Sequence, residues 1–256
     1  MTSPWQEVGD RIFRRRYPSL DLNIGLVITD ASVVVLDSRA NHRQADELRA
    51  EISGLTHLPV STLINTHYHW DHTFGNARFR TATLIGHERT RIALAERGEE
   101  MKRALVDSDW VSADTRPLFD EVVITPPEET FSEQMGIVVG GRHLELRHLG
   151  RGHTDSDIVI LVDGVVFAGD LVEEGAPPSF ADGYPPEWVA TLDRLAPLVS
   201  GTVVPGHGDV VDRGFVERQR ADIAAAIALA ERREFDSGPY PAAVMASIAK
   251  RLPSGW

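Results

Sequence analysis

The chain of 256 residues contains no cysteine. Disulfides, thiolate nucleophiles and cysteine-held zinc or iron–sulfur centres are thereby excluded. Any metal has to be bound by imidazole and carboxylate, a donor set that suits zinc, iron, cobalt or manganese. Positive charge is also scarce: 26 Lys and Arg stand against 38 Asp and Glu, for a net charge of -12. That balance argues against DNA or RNA as the main partner, because phosphate contacts need basic side chains. No apolar run approaches the roughly 18 residues of a membrane helix, so no membrane partner is expected. The first residues, Met1 to Glu7, lack a basic stretch followed by an apolar one; no secretory leader is evident and a cytoplasmic location is expected. Gly-x-Ser-x-Gly does not occur, and Gly140-Gly141 lacks the lysine of a phosphate-cradling loop. The composition is otherwise ordinary for a globular protein, 42% hydrophobic and 25% charged. It leaves monomer and homo-oligomer equally open.

What is present is concentrated in Asn65-Thr66-His67-Tyr68-His69-Trp70-Asp71-His72-Thr73, which follows the apolar run Leu58 to Ile64. In an extended backbone, side chains two apart point to one side, so His67 and His69 can converge on one ion. A turn after them would direct Asp71 and His72 to a second position. Burying imidazoles and a carboxylate together without a cation would be costly. Three isolated candidates add to the set, each where a strand is expected to stop. His153 lies in Gly150-Arg151-Gly152-His153-Thr154, Asp170 follows Val165 to Ala168 through Gly169, and His207 sits between Gly206 and Gly208. His42, His57, His87, His143 and His148 have no such context and read as surface or hydrogen-bonded residues.

Periodicity gives strands over 24–28 and 33–36 joined by a turn, a helix over 45–55, and short strands over 60–65 and 83–85. Two helices are expected, one over 88–97 ended by Gly98 and one from Glu99 to about Trp110. Residues 111–135 read as irregular, with Pro126-Pro127 interrupting any regular element. Strands follow over 137–139, 143–149, 157–162 and 165–168, with turns at Gly140-Gly141 and Asp163-Gly164. A helix over 187–198, a strand over 202–205 and helices over 213–233 and 242–252 complete the pattern. Residues 1–23 are mixed in character, and Ile12, Phe13, Tyr17 and Leu20 read as an edge strand or loop cover.

The motifs His-x-His-x-Asp-His at 67–72, Gly-His-Thr at 152–154, Gly-Asp at 169–170 and Gly-His-Gly at 206–208 resemble those of the metallo-β-lactamase superfamily, in the family's order. The resemblance covers about residues 24–220. It implies an α/β fold, a four-layer αββα sandwich of two mixed sheets face to face with helices outside. The whole chain, 1–256, would then be a single domain with a C-terminal helical segment over 213–252. Carried over residue by residue, His67, His69 and His153 would hold a first metal. Asp71, His72 and His207 would hold a second, and Asp170 would bridge them. The cofactors implied are two divalent ions, zinc first, with iron or manganese as alternatives. Asp71 with His72 and an aspartate at 170 resembles the glyoxalase II and lactonase branches more than the zinc β-lactamases that carry cysteine at the position of Asp170.

The reaction so implied is hydrolysis, with a hydroxide generated on the ions attacking the carbonyl of a small thioester, lactone or β-lactam-like substrate; Asp71 would orient the nucleophile as well as bind metal. Tyr68, Trp70, Arg151, Phe180 and Tyr184 are candidates for the substrate groove. Asp37, Thr66, Thr73 and Thr154 are candidates to hydrogen-bond and orient the ligands. The alternatives are a metal-dependent phosphodiesterase or nuclease, an iron persulfide dioxygenase and a non-enzymatic metal-binding scaffold.

Overall fold

Branched apolar residues dominate the strands of the computed structural model, which describes residues 4–108 and 111–252. In chain order the elements are β1 (Gln6–Gly9), β2 (Ile12–Tyr17), β3 (Leu22–Ile28), β4 (Val33–Leu36), α1 (His42–Leu55), β5 (Val60–Ile64), the single turn α2 (Trp70–Thr73), β6 (Thr83–His87), α3 (Glu88–Val106), α4 (Arg116–Asp120), β7 (Glu129–Phe131), β8 (Gln134–Val139), β9 (Arg142–Arg147), β10 (Val159–Val162), β11 (Val165–Glu173), α5 (Pro185–Leu195), β12 (Val203–His207), α6 (Arg213–Glu231) and α7 (Ala242–Arg251). By contacts the chain divides into two units. One comprises residues through Arg15 with Ile24–Glu145; the other comprises Arg16–Asn23 with the chain from Leu146 onward.

The first unit carries a mixed sheet in the order β7-β6-β5-β4-β3, with β2 on β3 and β1 on β2. β3 and β4 form an antiparallel hairpin, whereas β4, β5, β6 and β7 run parallel. All four residues of β4 are buried, as a strand covered on both faces requires. Helix α1 buries Ala45, Leu48 and Ile52 on one face and starts at Asn41, whose side chain accepts from the Gln44 amide at 3.0 Å.

Helix α3 runs unbroken through Gly98, where the sequence predicts a break. The reason is close packing: a Cβ at 98 would stand 2.5 Å from Cγ2 of Ile124. Gly98→Ala is therefore expected to destabilise, overpacking by about 1–3 kcal/mol outweighing the ~1 kcal/mol that alanine gains in a helix. Urea unfolding checks the sign, and a higher midpoint would show that Ile124 yields. The expected helix end near Trp110 lies outside the described residues. The stretch 111–135, read as irregular, contains α4 and β7, elements too short to give a periodic signal.

The second unit carries β12, β11 and β10, with β11 parallel to β12 and antiparallel to β10. Asp163 and Gly164 have φ of 46° and 82°, the backbone of a two-residue hairpin turn. Trp188, Leu192 and Leu195 of α5 pack with Val216, Ile223 and Ala226 of α6 and with Met245 and Ile248 of α7 against the strands. β11 does not stop at Ala168 but continues through Asp170 to Glu173, and β12 includes His207. Both candidates are thus strand residues rather than loop residues. Among the described residues, no helix is long and apolar enough to cross a membrane.

Candidate metal centre

In the first unit the parallel strand β5 ends at Ile64, and the backbone turns through 65–69 into α2. The turn is held from beneath by buried polar groups. The His72 carbonyl accepts from Ser38 N at 2.8 Å, Ser38 Oγ at 3.0 Å and Asn65 Nδ2 at 3.3 Å. Asn76 ties the same network together, donating to Asn65 Oδ1 at 2.8 Å and to the Thr125 carbonyl at 2.9 Å. Thr73 caps the turn by donating to the His69 carbonyl at 2.8 Å.

The side chains so placed form a cluster. The His67 ring lies 4.7 Å from that of His69 and 4.3 Å from that of His72, centroid to centroid. Asp71 Oδ2 stands 3.6 Å from His72 Nε2. Asp37, at the end of β4, accepts from the Thr66 amide and hydroxyl, both at 2.8 Å, and its Oδ2 lies 2.8 Å from His72 Nδ1. Thr66 Oγ1 in turn lies 3.0 Å from His67 Nδ1. Asp37 adopts φ of 68°, an unfavourable backbone for a residue with a side chain, and these hydrogen bonds offset that cost.

The second unit builds the other cluster on β11 and β12. Asp170 Oδ2 is 3.3 Å from Nε2 of His153 and 3.3 Å from Nε2 of His207. The close approach of β12 depends on Gly206, where a Cβ would fall 1.8 Å from Asp170 Oδ1. The loop bearing His153 is shaped by Asp157, whose carboxylate accepts from the Thr154 amide at 2.9 Å and also from its hydroxyl. Thr154, expected to steady a ligand carboxylate or backbone, thus bonds to Asp157, because the turn 154–157 closes on itself.

Three imidazoles share one arrangement. Nδ1 of His207 faces the Leu20 carbonyl at 2.7 Å, and Nδ1 of His153 faces the Ser179 carbonyl at 3.3 Å. A carbonyl only accepts, so each Nδ1 carries a proton, and in the neutral ring each Nε2 presents its lone pair. Those Nε2 atoms meet a carboxylate oxygen of Asp170, and Nε2 of His72 meets Asp71 in the same way. Lone pairs facing carboxylates inside a protein call for a cation, and neutral imidazole fixed through Nδ1 is the form in which histidine binds metal. The residues present therefore fit a metal site.

Of the groove candidates, Tyr68 and Trp70 lie in the first unit and Arg151, Phe180 and Tyr184 in the second. Tyr68 is buried, standing T-shaped on His69 at 5.0 Å beneath the Arg97 guanidinium. Trp70 is half-buried and packs on Phe119 at 5.9 Å. Phe180 is 2% exposed, stacked between Trp188 and Tyr240, and so belongs to the core of the second unit rather than to a groove wall. Arg151 pairs with Glu187 and lies 4.4 Å over the Tyr184 ring. That pairing holds its guanidinium above the usual range. Arg251 of α7 approaches Tyr184 at 5.6 Å and donates to the carbonyls of Gly183 and Asp182, both at 2.8 Å, which pins this loop to the C-terminal helix. The Tyr240 phenol is pushed above its ordinary value by burial, with Asp222 and Glu173 nearby.

Sequence reasoning singled out neither Ser38, Asn76, Asp157 nor Glu173. Small polar residues acquire a role only through partners distant in the chain. The Thr-x-x-Asp spacing of Thr154 and Asp157, that of a capping box, is the one local signal among them.

Comparison with known proteins converges on one family. Over 202 residues the chain is 24% identical to a type 2 metallo-β-lactamase of Bacteroides fragilis, spanning 76% of this chain and 72% of that protein. Over 212 residues it is 24% identical to a linear primary-alkylsulfatase of a Pseudomonas species, spanning 70% of this chain and 40% of that protein. Among solved structures, a metallo-β-lactamase from Pontibacter korlensis superposes with a TM-score of 0.70 at 20% identity, covering 86% of this chain and 98% of that one. The family model of the metallo-beta-lactamase superfamily matches residues 20–207, a span that takes in both clusters of imidazole and carboxylate. With its donor set and its fold pointing the same way, the chain belongs to that superfamily, a group of metal-dependent hydrolases.

Proposed function

We propose that this chain is a dinuclear hydrolase acting on the carbonyl of a small thioester, lactone or β-lactam-like molecule. His67, His69 and His153 would hold one divalent ion, Asp71, His72 and His207 the other, and Asp170 would serve both. Zinc is the ion proposed, and the four-layer arrangement of the sheets is carried over from the family with it. The observation that carries the reading is the pair of Nε2 atoms, of His153 and His207, each 3.3 Å from one Asp170 oxygen.

When bound, two such ions would lower the pKa of a shared water from nearly 16 towards ~7 and polarise a carbonyl oxygen. The chain's own groups do the rest. Contacts of Nδ1 with Leu20, Ser179 and Asp37 keep the rings from rotating. Asp71, in the first turn of α2, would accept a hydrogen bond from the attacking water and so orient it. Glu187 neutralises Arg151, which disfavours a strongly anionic substrate at that point.

The alkylsulfatase relative gives sulfate esters a place as the second substrate class. A panel of thioesters, lactones, β-lactams, phosphodiesters and alkyl sulfates, run with and without chelator, tests the proposal. Turnover of a carbonyl substrate that chelation abolishes and zinc restores is expected. Cleavage of phosphodiesters alone, or turnover indifferent to chelation, would refute it.

A further inference from the structure

Glu173 is the last residue of β11, three positions beyond Asp170, and its side chain is 10% exposed. It stands behind His153, on the Nδ1 side of the ring. Oε1 of Glu173 lies 3.6 Å from His153 Nδ1 and accepts from the Ser179 amide at 3.1 Å. The carbonyl of that same Ser179 faces His153 Nδ1 at 3.3 Å. One carboxylate oxygen therefore both holds the residue whose carbonyl meets the ring and places negative charge beside the ring proton.

Glu173 is itself held. Its amide donates to Gln219 Oε1 at 3.1 Å, and Gln219 Nε2 donates to the Leu171 carbonyl at 2.8 Å, which fixes the end of β11 to α6. Trp188 bounds the imidazole as well, its ring centroid 5.7 Å away, and donates from Nε1 to the Leu171 carbonyl at 3.1 Å. The ring is thus confined by the Trp188 indole, which it meets edge-on, by the Ser179 carbonyl at Nδ1 and by the Glu173 charge beside that nitrogen. It is left with Nε2 directed at Asp170.

We propose that Glu173 is a positioning residue for His153, locking the proton on Nδ1 and the lone pair on Nε2 and so raising the affinity of the centre for its metal. This rests on the metal-binding reading above. A carboxylate placed beyond a ligating imidazole fixes its tautomer and raises its basicity, and losing such a partner typically costs about 10–100-fold in metal affinity. Glutamine at 173 can still accept from the Ser179 amide but carries no charge, whereas alanine removes both effects. Affinity should therefore fall in the order parent, Glu173→Gln, Glu173→Ala.

The test uses the full chain, zinc and a competing chromogenic chelator, together with 15N shifts of the metal-free, histidine-labelled protein. Glu173→Ala is expected to bind zinc about 10–100-fold more weakly. In the parent, His153 should show a protonated Nδ1, and in Glu173→Ala a mixture of tautomers. A merely structural role would lower the melting temperature of the metal-free protein and leave the tautomer alone. Should the alanine variant fail to fold, Glu173→Gln carries the same measurements. Parent-like affinity and tautomer in the variants, in a protein that binds zinc, would overturn this proposal alone. A parent that binds no zinc, or a His153→Ala variant that binds it as tightly as the parent, would overturn the metal reading and this one with it.

Discussion

Asp170→Ala should lose metal and turnover together, with kcat/KM falling by about 10^3-fold, equivalent to ~4 kcal/mol of transition-state stabilisation. The expectation follows from position. Asp170 lies within β11, is 5% exposed, and offers one oxygen 3.3 Å from two imidazole nitrogens. Removing the carboxylate takes away the negative charge that both rings face. The strand pairing of β11 with β12 is backbone-made and should survive. Asp170→Asn separates charge from shape: it keeps the volume beside Gly206 and should still impair metal binding. Metal content of the purified variants, read beside their kinetics, checks this. Parent-like turnover would remove Asp170 from the role proposed for it between two ions.

The largest expected loss of stability is at Trp188. It is fully buried at the centre of the second unit, 5.2 Å from the Phe180 ring and 5.7 Å from the His153 ring, and its indole N–H donates to the Leu171 carbonyl. Trp188→Ala should cost about 3–5 kcal/mol, because the transfer term is joined by a cavity that α5 and α6 cannot close. It also leaves the Leu171 carbonyl with one donor fewer. Since the ring stands against His153, zinc affinity should fall in the fraction that remains folded, and Trp188→Phe should recover part of both. Denaturant unfolding with a zinc titration measures the two effects. A loss under about 1 kcal/mol would show that the unit is not organised around this residue.

The pattern of strands and helices was largely legible because branched runs and helical spacing are local signals. The helix break predicted at Gly98 failed for a tertiary reason: glycine there serves the approach of Ile124, not a helix end. Phe180 read as a groove residue because a proline-rich loop gives no periodicity from which burial can be inferred. Of the seven candidate ligands, His67, His69, Asp71 and His72 stood out as a dense cluster after an apolar run, and His153, Asp170 and His207 as isolated residues beside glycine. Their supporting groups did not. Ser38 and Asn65 meet at the His72 carbonyl, with Asn76 bonded to both, only after β4 and β5 have paired, and Glu173 reaches His153 only after the following loop has brought Ser179 back to it.

The most direct measurement is the metal stoichiometry of the purified full chain after dialysis against zinc, by elemental analysis, for the parent and for His67→Ala and His207→Ala. Two ions per parent chain are expected, with each variant holding fewer, because the substitutions strike opposite halves of the ligand set. A parent that retains no metal, or variants that retain as much as the parent, would contradict the account.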